Sequence, residues 1–156
     1  MSNSVSPIPD GYPAVIPYLI VRNGKKALEY YQNTFGAVEK ERLEMPDGTI
    51  GHAEILIGES MIVLADESPA CGAVSPDSVG GTPVTIALYI EDVDTVIQRA
   101  LDGGAILEQP IKNQFYGDRS GSIKDPFGHK RTIMTHIEDV SPEEISRRAA
   151  ELFGTK

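Results

Sequence analysis

His52 and Glu54 stand two residues apart in the alternating run Ile50-Gly51-His52-Ala53-Glu54-Ile55-Leu56-Ile57. On an extended strand that spacing puts both side chains on one face, side by side. A carboxylate beside an imidazole can orient the ring, which then accepts a proton from a bound molecule or hydrogen-bonds it. The same pair could begin a metal site, although two ligands are too few without others nearby. A third reading makes them a hydrogen-bonded polar patch supporting a pocket wall. Arg119, in Tyr116-Gly117-Asp118-Arg119, could clamp an anionic ligand with its planar fork, or pair with Asp118 across a hairpin. Tyr116 in the same loop could stack on a planar ligand. The lone Cys71 lies in a Gly/Pro/Ser-rich stretch with no base near it in sequence, so little is there to activate it. His129 and His136 read as structural hydrogen-bonders.

The elements that must hold these residues occur twice, about seventy residues apart. In the first copy Val15–Val21 is a β run, with Pro17 favouring an edge or a strand start. Asn23 caps a helix over Gly24–Phe35 that puts Ala27, Leu28, Tyr31 and Phe35 on one face and stops at Gly36. Val38–Met45, Ile50–Ile57 and Ser60–Ala65 follow as strands, the first two joined by the turn Met45-Pro46-Asp47-Gly48. In the second copy Val84–Ile90 is a strand. Asp92 then caps a helix over Val93–Leu101, and Gly103-Gly104 ends it. Strands at Ala105–Pro110, Ser120–Lys124 and Lys130–His136 complete it, with Asp125-Pro126-Phe127-Gly128 as a tight turn. Ser141-Pro142-Glu143-Glu144 begins one more helix, to about Phe153, with a capping box.

The expected organisation is therefore an arm (1–13), a first βαβββ module (14–66), a connector (67–83), a second βαβββ module (84–136) and a C-terminal helix (137–156). The fold class is α/β (α+β): two tandem modules whose mixed sheets curl into a cup. Alternation assigns the faces. Leu19, Val21, Ala53, Ile55, Ile57, Ile86, Leu88 and Ile90 face the helices. Tyr18, His52, Glu54, Thr85, Tyr89 and Thr132 face away from them, among apolar neighbours. A few polar groups on an apolar concave wall are what a small-molecule site requires.

Composition narrows the partners. The chain has 156 residues, with 40% apolar and 24% charged side chains and a formal net charge of −9. That balance, without any basic run, argues against nucleic acid. The apolar runs are strand-sized, so no membrane span is expected. The start lacks the basic and apolar regions of a secretory signal, and a single cysteine fits a reducing cytoplasm.

The chain resembles the vicinal oxygen chelate superfamily, which includes glyoxalase I, bleomycin-resistance proteins and extradiol dioxygenases. The likeness rests on the paired βαβββ modules, Ala27-Leu28-Glu29-Tyr30-Tyr31 before Phe35-Gly36-Ala37, Glu91-Asp92-Val93-Asp94, and Asp125-Pro126-Phe127-Gly128-His129. More narrowly, Gly51-His52-Ala53-Glu54-Ile55, Tyr116-Gly117-Asp118-Arg119 and Thr135-His136-Ile137-Glu138 are similar to the PhnB-like branch. The resemblance implies a homodimer, in which paired modules complete each other's cups. It also implies four strand positions for a divalent metal. Those positions fall on Ile16, near Met61 or Ile62, on Thr85 and on Thr132. None offers the imidazole, carboxylate or thiolate that such a cation wants.

No cofactor is therefore expected. The reading that follows is a bleomycin-resistance-like protein that binds a small organic molecule through Tyr18, His52, Glu54, Thr85, Tyr89, Tyr116, Arg119 and Thr132. The alternatives are a metal-dependent lyase, isomerase or dioxygenase with a displaced site around His52 and Glu54, and a scaffold whose cup is vestigial.

Overall fold

The computed structural model describes residues 4–154, so the first three residues of the arm and the last two of the C-terminal segment lie outside it. The chain divides into two compact units, one ending at Ser78 and the other starting at Val79.

In the first unit β1 (Tyr18–Val21), α1 (Gly24–Phe35), β2 (Val38–Glu44), β3 (Ile50–Ile57) and β4 (Ser60–Asp66) form a four-stranded sheet in the order β1-β4-β3-β2. β1 runs parallel to β4, and the other pairs are antiparallel. β1 begins at Tyr18 rather than Val15. Pro17 has no N–H to give the ladder, yet its carbonyl still accepts the Val63 amide at 3.0 Å. Asn23, at φ 65°, caps α1 by accepting the Lys26 amide. Ala27, Leu28 and Tyr31 are fully buried on the helix side of the sheet, with Val21, Ala53, Ile55 and Leu64. Cutting Leu28 back to Ala in such a site costs about 2–5 kcal/mol.

Asp66 fastens this unit at one corner. Its Oδ1 accepts the Gly24 amide at 2.8 Å and its Oδ2 accepts the Ile50 amide at 2.7 Å. Gly24 is required there, because a Cβ would sit 2.8 Å from both Asp66 Oδ2 and Ile50. Beyond β4 the connector is not featureless. It holds a 3-10 turn (Pro69–Cys71), a bridge between Ser68 and Ala73, and the short helix α2 (Pro76–Val79).

The second unit repeats the plan with β5 (Thr85–Tyr89), α3 (Val93–Asp102), β6 (Ile106–Asn113), β7 (Asp118–Lys124) and β8 (Lys130–His136), ordered β5-β8-β7-β6. Asp92 caps α3 through the Thr95 amide at 3.1 Å. Thr135 stands where Asp66 stands in the first unit, its hydroxyl accepting the Val93 amide at 2.9 Å. β6 continues through Pro110 to Asn113, because register shifts on either side of Gln109 absorb the missing N–H. Arg131 lies on the helix side and is fully buried, with Nε 3.0 Å from the buried Asp125 Oδ2. Oδ1 of Asp125 accepts the Phe127 and His129 amides, so one carboxylate holds both the turn and the buried guanidinium.

After β8, α4 (Pro142–Phe153) starts on a Ser141 cap that accepts the Glu144 amide at 3.2 Å. Arg148 pins it through Glu138, Glu144 and the Phe115 carbonyl. Two four-stranded mixed sheets, each backed by a helix, with an added C-terminal helix, make this an α+β fold of tandem modules. No helix among the described residues is long and apolar enough to cross a membrane.

Candidate functional site

Each unit keeps one sheet face free of its helix, and Tyr18, His52, Glu54, Thr85, Tyr89 and Thr132 sit on those open faces. In the first unit the register aligns Tyr18 with Val63 and Val63 with Glu54 across three strands. Glu54 is only 5% exposed although it belongs to the open face. The cover is Tyr12, from the arm, whose hydroxyl donates to Oε2 at 2.8 Å and reaches Oε1 at 3.0 Å. Lys40 stands 3.7 Å from Oε2, with its ammonium 3.7 Å above the Tyr12 ring. His52 Nε2 lies 3.3 Å from Oε1.

Burial pushes the Glu54 carboxyl up, but the hydrogen bonds from Tyr12 and His52 and the charge of Lys40 more than offset it, so it sits below the ordinary glutamate range. A carboxylate so fully engaged is a poor general base. It orients His52 instead. A hydrogen bond to a carboxylate needs a proton on Nε2, which leaves Nδ1 as the ring nitrogen open to another partner. The ring meets Tyr18 edge to face, with centroids 6.2 Å apart.

Beside Tyr18 the open face forms a concavity of about 720 Å³, lined by Tyr18, Ile20, Leu43, Met45, Asp66 and Cys71 among others. Tyr18 is the one residue of the sequence-based site set that lines it. His52 and Glu54 stand next to it without lining it. Its size falls within the ordinary range for ligand sites, about 300–1,000 Å³. Gly51 leaves space where Met45 folds over the strand, since a Cβ there would be 2.6 Å from the Met45 sulfur.

On the open face of the second unit the Tyr89 hydroxyl donates to Asp118 Oδ2 at 2.6 Å, and His136 Nδ1 lies 2.9 Å from Oδ1. Asp118 is nearly buried; burial raises its carboxyl, and the bonds from Tyr89 and His136 bring it net below the usual aspartate range. Thr132 and Ser122 share a hydroxyl hydrogen bond of 3.0 Å, and Thr85 is exposed opposite Lys130. Tyr116 packs edge-on against Phe115, with centroids 5.2 Å apart.

Arg119 departs from both sequence readings. It turns to the helix side, where Nε and Nη2 each lie 2.8 Å from the Asp94 carboxylate and Nη1 lies 3.0 Å from Asn113. Its fork is filled by α3 instead of by Asp118 or an open-face ligand. The parity of β7 dictates this, since Arg119 shares a face with Gly121 and Ile123. Two site residues escaped the sequence reading. Tyr12 lay in what reads as a loose arm. Lys40 sits at a bulge of β2, between Glu39 and Glu41, which strict alternation does not foresee.

The model of the Glyoxalase/Bleomycin resistance protein/Dioxygenase superfamily matches residues 14–132. The chain belongs to this superfamily. A Mycobacterium bovis relative, Mb0911c, is 40% identical over 136 residues, which span 85% of this chain and 90% of that one. Among solved structures, PA1353 from Pseudomonas aeruginosa superposes with a TM-score of 0.65 at 19% identity, over 81% of this chain and 100% of that one. The PhnB protein from Bacillus cereus gives a TM-score of 0.64 at 13% identity, over 79% and 99%. At these identities the two structures share the fold.

The superfamily's metal positions can be tested against the register. Val63 and Thr132 each lie three residues before the side chain that accepts the first amide of its own unit's helix, Asp66 for α1 and Thr135 for α3. Val63, rather than Met61 or Ile62, is therefore the counterpart of Thr132. Ile16, Val63, Thr85 and Thr132 do not fit a divalent cation, having no imidazole, carboxylate or thiolate among them. Among the described residues no three His, Cys, Asp or Glu side chains gather as a metal site elsewhere.

Proposed function

We propose that the chain binds a small planar or amphiphilic organic molecule, in the manner of the bleomycin-resistance members of its superfamily and without the standard metal site. The observation that carries this reading is the concavity beside Tyr18. It offers an aromatic face, the apolar walls of Ile20, Leu43 and Met45, and a few polar groups at its edge. The neighbouring His52, held by Glu54, supplies a hydrogen-bonding nitrogen at the rim. A homodimer belongs to the same reading, because apolar side chains such as Val38 and Tyr89 are 62% and 65% exposed and would be covered by a second copy.

Isothermal titration with a panel of planar aromatic antibiotics, run with and without EDTA, tests the proposal. Saturable binding that the chelator leaves unchanged supports it. Binding that disappears with EDTA and returns with a divalent cation moves the reading to a metal-dependent enzyme built around His52 and Glu54. Light scattering of the purified chain gives its assembly state.

A further inference from the structure

The two units offer an internal control, because the same fold is built twice from different residues. Across the open face of the second unit one row runs Thr85, Lys130, Lys124, Ile106 over β5, β8, β7 and β6. In the first unit the corresponding positions of β4, β3 and β2 are Met61, Leu56 and Val38. The scaffold accepts an apolar row at this place, yet the second unit carries two lysines directly opposite each other.

Like charges facing across a ladder destabilise a sheet unless an anion lies between them. The chain's own carboxylates fill that role only in part. Glu108 forms an ion pair with Lys130 at 3.8 Å, beyond hydrogen-bond distance, and Lys124 makes no ion pair among the described residues, which leaves one ammonium uncompensated. At the two lysines the loop 79–83 borders a second, open concavity of about 600 Å³, lined by Gly80, Gly81, Thr82, Glu108, Lys124, Lys130 and neighbours. Gly80 and Gly81 hold φ values of 89° and 141°, which side-chain-bearing residues rarely adopt, so the loop's path depends on glycine.

We infer that Lys124 and Lys130 form a site for a compact oxyanion, the phosphate or carboxylate group of a small molecule, separate from the concavity of the first unit. Two ammonium groups on one rigid hairpin present fixed positive charge to such a group, with the Thr82 hydroxyl in the opposing loop. In a chain of net charge −9 this is a local reversal of sign, so a small anion that reaches it is held by nearby charge against the wider field.

The test titrates inorganic phosphate and acetate separately into the full chain at low ionic strength, following the amides of Gly80, Gly81 and Thr82 by NMR. Saturable shifts with either anion support the site, and the tighter of the two identifies the group it takes. The double variant Lys124→Leu/Lys130→Met installs the residues of the first unit and weakens binding by about tenfold or more, the worth of a charge-assisted hydrogen bond. Single variants Lys124→Gln and Lys130→Gln repeat the measurement, so the outcome does not hang on one protein's folding. Shifts that never saturate with either anion, or saturating shifts that the lysine variants leave unchanged, overturn the inference.

Discussion

Tyr12 lays its hydroxyl across both carboxylate oxygens of Glu54, 2.8 Å from one and 3.0 Å from the other. The contact ties residues 42 positions apart and turns the end of the arm into part of the first unit's open face. It also decides what Glu54 does. A carboxylate that is buried and engaged by a phenol, an ammonium and an imidazole holds its neighbours in place.

Replacing Tyr12 by Phe removes the phenol and leaves the ring. At neutral pH the variant loses about 1.5–3 kcal/mol, the range for a hydrogen bond to a charged group, read by denaturant unfolding. The loss depends on pH in a fixed direction. Glu54 titrates below its ordinary value in the folded chain, so its contribution is present above the unfolded pKa and fades as pH falls through the folded one. Wild type and variant converge on acidification, and a constant difference down to the acid limit would contradict the assignment.

His136 titrates in the opposite sense. The hydrogen bond to Asp139, then that to Asp118, raise it above the usual histidine value. Both ring nitrogens face carboxylate oxygens, at 2.9 and 2.7 Å, an arrangement that suits the imidazolium. The stability it adds is complete below the unfolded pKa and is lost as pH rises through the higher folded one. NMR titration of the His136 ring shows an elevated midpoint that drops in Asp139→Asn, and in His136→Gln this component of the pH–stability profile is gone.

Asp125 and Arg131 form a fully buried pair. Asp125→Asn keeps an oxygen for the Phe127 and His129 amides but turns an NH2 donor toward the Arg131 guanidinium and removes the Asp125 charge, a change that costs about 3–5 kcal/mol. Chemical denaturation of the variant checks this, with near-ultraviolet circular dichroism showing whether the tyrosine environments of the native fold remain.

The modules were legible because their signals are periodic. Alternation in Ile50–Ile57 and the stripe from Ala27 to Tyr31 both name the buried face, and burial of Ala53, Ile55, Leu28 and Tyr31 follows. Asn23, Asp92 and Ser141 announce helix starts through local hydrogen bonds. The sequence was silent where a contact is long-range or a strand is irregular. Nothing near Tyr12 says that its partner is Glu54, and nothing in Asp94 names Arg119 as the group it will hold. The bulge that places Lys40 and the register shifts that carry β6 past Pro110 likewise arise from pairing between strands.

The most direct test of the binding proposal uses the methyl groups of methionine. Met45 lines the first unit's concavity, and Met134 lies on β8 in the second unit. With methyl-labelled protein in EDTA, the tightest compound from the calorimetric panel is titrated and each methyl signal followed. Binding in this concavity makes the Met45 signal shift and saturate at the calorimetric affinity while Met134 stays in place. Binding that leaves Met45 unmoved, or that vanishes once the chelator is present, would contradict the proposal.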